Sequence, residues 1–232
     1  GMMYGFIYEG TYKYEDFDKV GDTYTLKRNV PYFSSESNTQ PGMPKYADLN
    51  GDGIIDDNDR TMIGNGMPKH TGGFTNNFEY KGFDLSIFFQ WSYGNDVLNA
   101  NRLFFENSNK TRDLNQYASY ADRWTPENPE SNIPRATDSG SNKVFSTRII
   151  EDGSFLRLKT VSLGYTLPKQ LTKKWKIDNA RVFVAGQNLW TCTGYSGYDP
   201  EVSIREGALT PGLDFSAYPR AYSISFGINL GF

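Results

Sequence analysis

Cysteine and histidine are almost missing from this chain of 232 residues, which holds one of each. Cys192 has no partner for an internal disulfide and cannot build a cysteine metal cluster. His70 alone weakens any reading as a zinc site or a serine–histidine catalytic pair. A strong excess of one charge is lacking too. The formal net charge is −3 and no basic stripe occurs, so nothing points to nucleic acid. No apolar run approaches the ~18 residues of a membrane-spanning helix. That excludes a helical membrane protein but not a barrel, whose strands carry polar residues on one side. Nothing at the start reads as a secretory signal, and the opening Gly1-Met2-Met3 reads as a cut from something longer.

What is plentiful is rings and glycine: 16 Tyr, 16 Phe and 23 Gly, a mix that favours strands and turns. The length allows one large or two small domains.

The sharpest local pattern is Asp48 to Asp59, D-L-N-G-D-G-I-I-D-D-N-D. Oxygen side chains fall at loop positions 1, 3, 5, 9 and 12: Asp48, Asn50, Asp52, Asp56 and Asp59. Gly53 stands at position 6, where a calcium loop turns sharply, and Ile54 at position 7 would lend its carbonyl. Calcium takes six to eight oxygens, and this spacing brings such oxygens towards one centre. An ordinary solvated turn draws on the same residue types. Two departures stand out. Asp59 replaces the longer Glu that gives bidentate binding, and the flanks Pro41-Gly42-Met43-Pro44 and Gly64-Asn65-Gly66-Met67-Pro68 break helices. The loop therefore reads as a structural staple grafted onto something non-helical, not a sensor.

Residues 1–70 read as a loop region with a strand or hairpin in 4–30 and a polar loop at 31–47; residues 71–232 read as strands. The hairpin is clear: Phe83, Leu85, Ile87, Phe89, Trp91 and Tyr93 share one face, opposite Asp84, Ser86, Phe88, Gln90 and Ser92. Lys81-Gly82 suits the tight turn before them. In 154–167, Leu156 and Leu158 are out of phase with Val161, Leu163, Tyr165 and Leu167, which predicts a bulge near Lys159-Thr160. A strand at 179–190 lacks clean alternation. The last, 220–232, is the cleanest, with Tyr222, Ile224, Phe226, Ile228, Leu230 and Phe232 on one face. Leu114, Tyr117, Ala121 and Trp124 recur at helical spacing and predict a short amphipathic helix.

The apolar face of the last strand suits either the edge of a soluble sandwich or lipid; its small polar back favours lipid. Connections decide further. The links 81–82 and 168–178 are short, while 94–153 and 191–219 are long, as in outer-membrane barrels with short periplasmic turns and long extracellular loops. The expected class is all-β: an antiparallel transmembrane β-barrel segment, its C-terminus periplasmic and its calcium loop extracellular.

The stretches DLNGDGIIDDNDRTMIGN, EYKGFDLSIFFQWSYGND, RWTPENP, DGSFLRLKTVSLGYTLPK, VAGQNLWT and YPRAYSISFGINLGF resemble the C-terminal part of the SusC/RagA family, from about Tyr4 to Phe232. These are TonB-linked outer-membrane transporters of Bacteroidetes. The resemblance implies the last strands and loops of a large plugged barrel set in outer-membrane lipid, with a SusD-like lipoprotein capping the pore. It also implies a TonB complex acting through a part absent from this chain, oligosaccharide or peptide as substrate, and no enzymatic activity. It carries the calcium loop onto Asp48, Asn50, Asp52, Asp56 and Asp59. Two alternatives compete: a soluble secreted calcium-binding module for glycan binding or docking, and a glycosidase using two carboxylates. The first lacks helices around the loop, and the second lacks a carboxyl marked out as a buried proton donor.

Overall fold

The computed structural model describes residues 1–107, 115–137, 144–204 and 210–232. Its largest sheet has five strands: His70–Tyr80 (β1), Phe83–Tyr93 (β2), Phe155–Thr166 (β3), Asn179–Thr193 (β4) and Ser223–Gly231 (β5). Their order is β5-β4-β3-β2-β1, and every pairing is antiparallel. The sheet is not closed; β1 and β5 are its edges. Between β1 and β2, Lys81 and Gly82 both have positive φ (47° and 87°), the two-residue turn whose twist matches the strands it joins.

Strand register explains the apolar pattern. Opposite residues in an antiparallel pair point to the same side. Leu85 stands against Phe78 and Leu163, and Leu163 against Val184, which in turn faces Phe226. One continuous apolar face thus crosses all five strands. The expected bulge is at Lys159: Phe88 pairs with Thr160 but Phe89 with Leu158. That extra residue flips the phase of β3, so Leu156 and Leu158 rejoin the face of Val161 and Leu163. A second irregularity explains the untidy pattern of β4. Leu158 pairs with Trp190 but Thr160 with Gln187, and between them Asn188 takes a left-handed φ of 52°.

Phe74, Phe78, Ile224, Phe226 and Ile228 on the apolar face are all more than half exposed. An apolar surface of this extent is foreign to soluble monomers. Rings gather towards both ends of it: Tyr80, Phe83 and Tyr165 at one, His70, Trp91 and Tyr93 at the other. His70 stacks on Tyr93 at 5.1 Å and its Nδ1 accepts from Trp91 Nε1 at 3.1 Å. Aromatic girdles at two water interfaces have this arrangement.

The opposite face is polar and small, with Asp84, Ser86, Gln90, Ser162, Gln187, Ser225 and Asn229. Two of its rings, Phe88 and Phe183, lie against neighbouring glycines. A Cβ on Gly73 would lie 2.7 Å from the Phe88 ring, and one on Gly227 would lie 2.4 Å from Phe183.

The chain forms two compact units that alternate along the sequence. Met67–Asn95, Asp152–Val202 and Tyr218–Phe232 make the unit with the five-stranded sheet, while Gly1–Gly66, Asp96–Glu151 and Ser203–Ala217 make the other. This second unit is a patchwork of short pairings. Met2–Gly5 pairs with Thr61–Asn65, Tyr8–Thr11 with Pro44–Tyr46, and Phe17–Val20 with Thr23–Leu26. Two pairings are parallel, Tyr32–Phe33 with Ile54–Ile55 and Leu98–Asn99 with Leu213–Asp214.

Residues 31–47 are therefore not a plain polar loop. Their rings enter aromatic cores: Phe33 packs on Phe6, Tyr46 and Ile55, and Tyr32 on Tyr12, Phe17 and Leu26. The helix expected from Leu114 to Trp124 is reduced to a 3-10 turn at Ala118–Asp122; Leu114 itself lies outside the described residues. A short α-helix occurs earlier, at Asn101–Phe105. Just after it, buried Glu106 accepts from Arg102 (3.0 Å), Arg148 (2.9 Å) and Ser119 (2.7 Å), tying distant parts of the long connection together.

Candidate functional site

The 48–59 loop folds through its own side chains. Asp48 accepts from the N–H groups of Gly51 (2.7 Å) and Gly53 (2.8 Å), and Asn50 Oδ1 from Asp52 N–H (2.9 Å). Asp52 accepts from Ile54 N–H and Asp56 from Asn58 N–H, each at 2.8 Å. Asp59 closes the ring: Oδ1 accepts from Leu49 N–H (2.8 Å) and Oδ2 from Asp56 N–H (2.8 Å). Gly53 turns with φ 83°, at the position where the loop rule demands glycine. Ile54 sits in the short strand against Tyr32.

Asp59 is fully buried, while Asn50, Asp52 and Asp56 are exposed and Asp48 is half-buried. Burial works to raise the Asp59 carboxyl, but N–H donors from Asp56, Leu49 and Asn50 outweigh it and hold it below the ordinary aspartate value. Asp59 is thus a carboxylate. Among the described residues no lysine or arginine pairs with Asp48, Asp52, Asp56 or Asp59. Nor do three His, Cys, Asp or Glu side chains among them gather closely enough to hold a metal by themselves. Their oxygens are turned to backbone donors, each with lone pairs to spare. The donor chemistry fits a hard cation that also draws on amide, carbonyl and water oxygens.

The polar face of the sheet carries two ion clusters. Arg181 on β4 reaches across β3 to Asp84 on β2, giving Nε at 2.9 Å and Nη2 to the second oxygen. It passes over Gly164, where a Cβ would lie 2.3 Å from the guanidinium and 2.5 Å from Asp84 Oδ1. Glycine there is a crossing point. In the full-length protein, Gly164→Ala and Arg181→Gln should each lower the urea midpoint of unfolding by a similar step, and the double variant should fall no further. Full additivity of the two would mean that Gly164 serves something other than the pair.

The second cluster centres on Arg157 of β3, 2% exposed. Its Nη2 donates to Asp199 and its Nη1 to Glu201 at 3.0 Å. Asp199 also accepts from the N–H groups of Glu201 (2.9 Å) and Arg220 (3.1 Å). Glu201 in turn meets Arg220 at 3.1 Å and Lys159 at 3.5 Å. Sequence reading passes over these residues; their one signal is a charged Arg157 between Leu156 and Leu158.

A strongly paired antiparallel sheet with an apolar girdled face and a polar back is a segment of transmembrane β-barrel wall. No family profile matches the chain. It is 35% identical over its whole length to TonB-dependent receptor P3 of Formosa agariphila, and 28% identical over 85% of its length to TonB-dependent receptor SusC of Bacteroides thetaiotaomicron. Among solved structures it is similar to the RagAB peptide transporter, with TM-score 0.74 and 26% identity over 100% of this chain and 22% of that one. The RagAB peptide importer in its 'open-open' state gives 0.72 and 25% over 99% of this chain and 22% of that one. The chain belongs to the SusC/RagA group of TonB-dependent receptors. It spans about a fifth of the length of the curated relatives it matches (22% and 18%). The curated relatives are named as TonB-dependent receptors and not as glycosidases, and the fold matches the barrel portion of RagA-like receptors rather than a soluble module.

Proposed function

We propose that this chain forms part of the wall and outer loops of an outer-membrane importer of oligomeric nutrients, oligosaccharide or peptide. The observation that carries this is the continuous apolar face across five strands, backed by a polar face. A water-filled or plugged lumen needs the second, and lipid needs the first. The kinship with SusC supports a SusD-like lipoprotein as partner and energy supplied through TonB. The loops lie outside the cell and the β1–β2 turn in the periplasm. Deleting the gene should abolish growth on one oligomeric nutrient while leaving growth on its monomer intact; equal growth on both would end the importer reading. Orientation has its own check. In a Cys192→Ser background, Gly51→Cys should react with a membrane-impermeant maleimide on intact cells, whereas labelling only after lysis would reverse the topology.

The 48–59 loop is proposed as a structural calcium site held by Asp48, Asn50, Asp52, Asp56, Asp59 and the carbonyl of Ile54. What supports this is a buried carboxylate, Asp59, beside three further carboxylates with no basic side chain paired to any of them. Such charge is costly to hold without a cation. The short Asp59 argues for the weak end of extracellular sites, roughly 10⁻⁴–10⁻³ M. Chelation, or Asp52→Ala, should raise protease cutting between about Pro41 and Pro68 in the full-length protein. The heat-stable mobility of the barrel on a gel should not change, because its strands are already paired. Identical cutting with and without chelator would retire the site.

A further inference from the structure

We propose that the link between β3 and β4 binds the headgroup of an anionic phospholipid in the periplasmic leaflet of the outer membrane. This goes beyond the importer reading and rests on the orientation proposed with it. The link, residues 168–178, carries Lys169, Lys173, Lys174 and Lys176 against a single acid, Asp178. All four lysines are exposed, and among the described residues none of them forms an ion pair. Lysines elsewhere in the chain do find partners: Lys13 meets Glu130, Lys45 meets Asp16 and Lys159 meets Glu201. A solvated surface normally mixes both signs. This one leaves four ammonium groups uncompensated within a few residues.

Among those cations stand two exposed apolar side chains, Leu171 and Trp175, the latter 67% exposed. Apolar bulk between lysines is unfavourable in water and favourable where water meets lipid. Tryptophan suits that boundary because its ring is apolar and its indole N–H donates. The link is a folded knob, with a helical turn at Lys169–Thr172 and a 3-10 turn at Lys173–Trp175. Ile177 N–H donates to the Thr172 carbonyl at 3.2 Å, and Leu167 N–H to the Ala180 carbonyl at 2.9 Å closes its base. Lys176 follows with a φ of 58°, the left-handed position where glycine or asparagine is usual. A lysine there sets one more charge beside Trp175 despite the backbone it must adopt.

The knob stands at one end of the apolar face. Thr166 N–H donates to the Gly82 carbonyl at 2.8 Å, so the link and the β1–β2 turn share a rim with the rings of Tyr80, Phe83 and Tyr165. On that rim Lys81 adds a further cation, its Nζ 5.1 Å from the centre of the Tyr80 ring. Of the acids at this end, Asp84 is taken by Arg181, which leaves Glu79 and Asp178. Lysine stems can lie along apolar surface while their ammonium groups rise to the phosphates. A leaflet with anionic lipid attracts such a segment by roughly fivefold per lysine.

The test titrates full-length protein in detergent with short-chain phosphatidylglycerol and with phosphatidylcholine of equal chain length, bound lipid being counted by native mass spectrometry. The wild type should bind phosphatidylglycerol more tightly. The triple variant Lys173→Gln/Lys174→Gln/Lys176→Gln should lose roughly tenfold or more of that affinity and keep its weaker hold on phosphatidylcholine. Trp175→Ala should weaken both lipids, and heat-stable gel mobility confirms that the variants are folded. Equal binding of the two lipids by the wild type, or an unchanged preference in the triple variant, would overturn the site. So would displacement of the lipid by equimolar glycerol 1-phosphate, the mark of a free-phosphate site, or by soluble muropeptides, which would assign the knob to the cell wall. Labelling separates this from the orientation. In a Cys192→Ser background, Lys174→Cys should react with a membrane-impermeant maleimide only after lysis. Reaction on intact cells would overturn the orientation and the site together, whereas a missing lipid preference with labelling only after lysis overturns the site alone.

Discussion

Ile87→Arg in the full-length protein is expected to destabilise the folded barrel by roughly 2–4 kcal/mol, whereas Ser86→Arg, one residue away, should cost far less. The two are neighbours on one strand and occupy opposite faces of the sheet. Ile87 stands against Asn76 and Val161 on the apolar side, Ser86 against Asn77 and Ser162 on the polar side. Depth sets the magnitude. From Phe83 to Trp91 the strand advances about 27 Å, or about 20 Å once tilted by roughly 40°, close to the height of an apolar band between girdles. Ile87 lies midway between those two rings. An arginine there must bury its charge or drag water inward, while at Ser86 it meets other polar groups. Folding titrations into lipid vesicles report the difference directly. Equal losses at both positions would mean that neither face meets lipid.

The legible parts of this fold were those where physics repeats along the chain. The alternation of Phe83 to Tyr93 reports a two-sided environment residue by residue, and so does that of Tyr222 to Leu230. The phase break between Leu158 and Val161 was visible for the same reason: the face must stay apolar across a bulge, so the bulge can be placed from the misfit. The turn pattern of Asp48 to Asp59 was equally local, twelve residues whose types and spacing belong to one loop. Its hydrogen bonds run almost wholly within that loop, and so its shape follows from its own sequence.

Other parts had no such signal. Tyr32–Phe33 and Ile54–Ile55 are two residues each, shorter than one period of alternation, and exist because Phe33 and Ile55 share a core. The parallel contact of Leu98–Asn99 with Leu213–Asp214 joins segments more than 110 residues apart. Gly164 looked like any strand glycine. Its reason is a guanidinium crossing from the next strand, which no local pattern contains. The seat of Trp124 was hidden likewise: it read as the end of a helix whose described part is a 3-10 turn, and its indole lies on the backbone of Gly42.

Arg157→Met should be the most damaging change on the polar face, by roughly 3–5 kcal/mol, the usual cost of removing one partner from a buried ion pair. Asp199 is 3% exposed and would keep only the N–H groups of Glu201 and Arg220. Glu201→Gln should do little by comparison, because that side chain is 20% exposed and is shared among Arg157, Lys159 and Arg220. The pH dependence gives a second readout. Burial works to raise the Asp199 carboxyl, but the Arg157 hydrogen bond, the N–H donors of Glu201 and Arg220 and the Arg157 charge outweigh it, leaving it below the ordinary aspartate value. The folded state therefore binds fewer protons than the unfolded chain in acid. The stability this adds is complete above the unfolded carboxyl pKa of about 3.9, and it drains away as pH falls through the lower folded value. Asp199→Asn removes that titration, so its urea midpoint should flatten over the acid limb where the wild type declines. Arg157→Met within about 0.5 kcal/mol of wild type, the range of a neutral surface change, would show that the cluster is decoration. An acid limb in Asp199→Asn identical to the wild type would assign the acid sensitivity to other carboxylates.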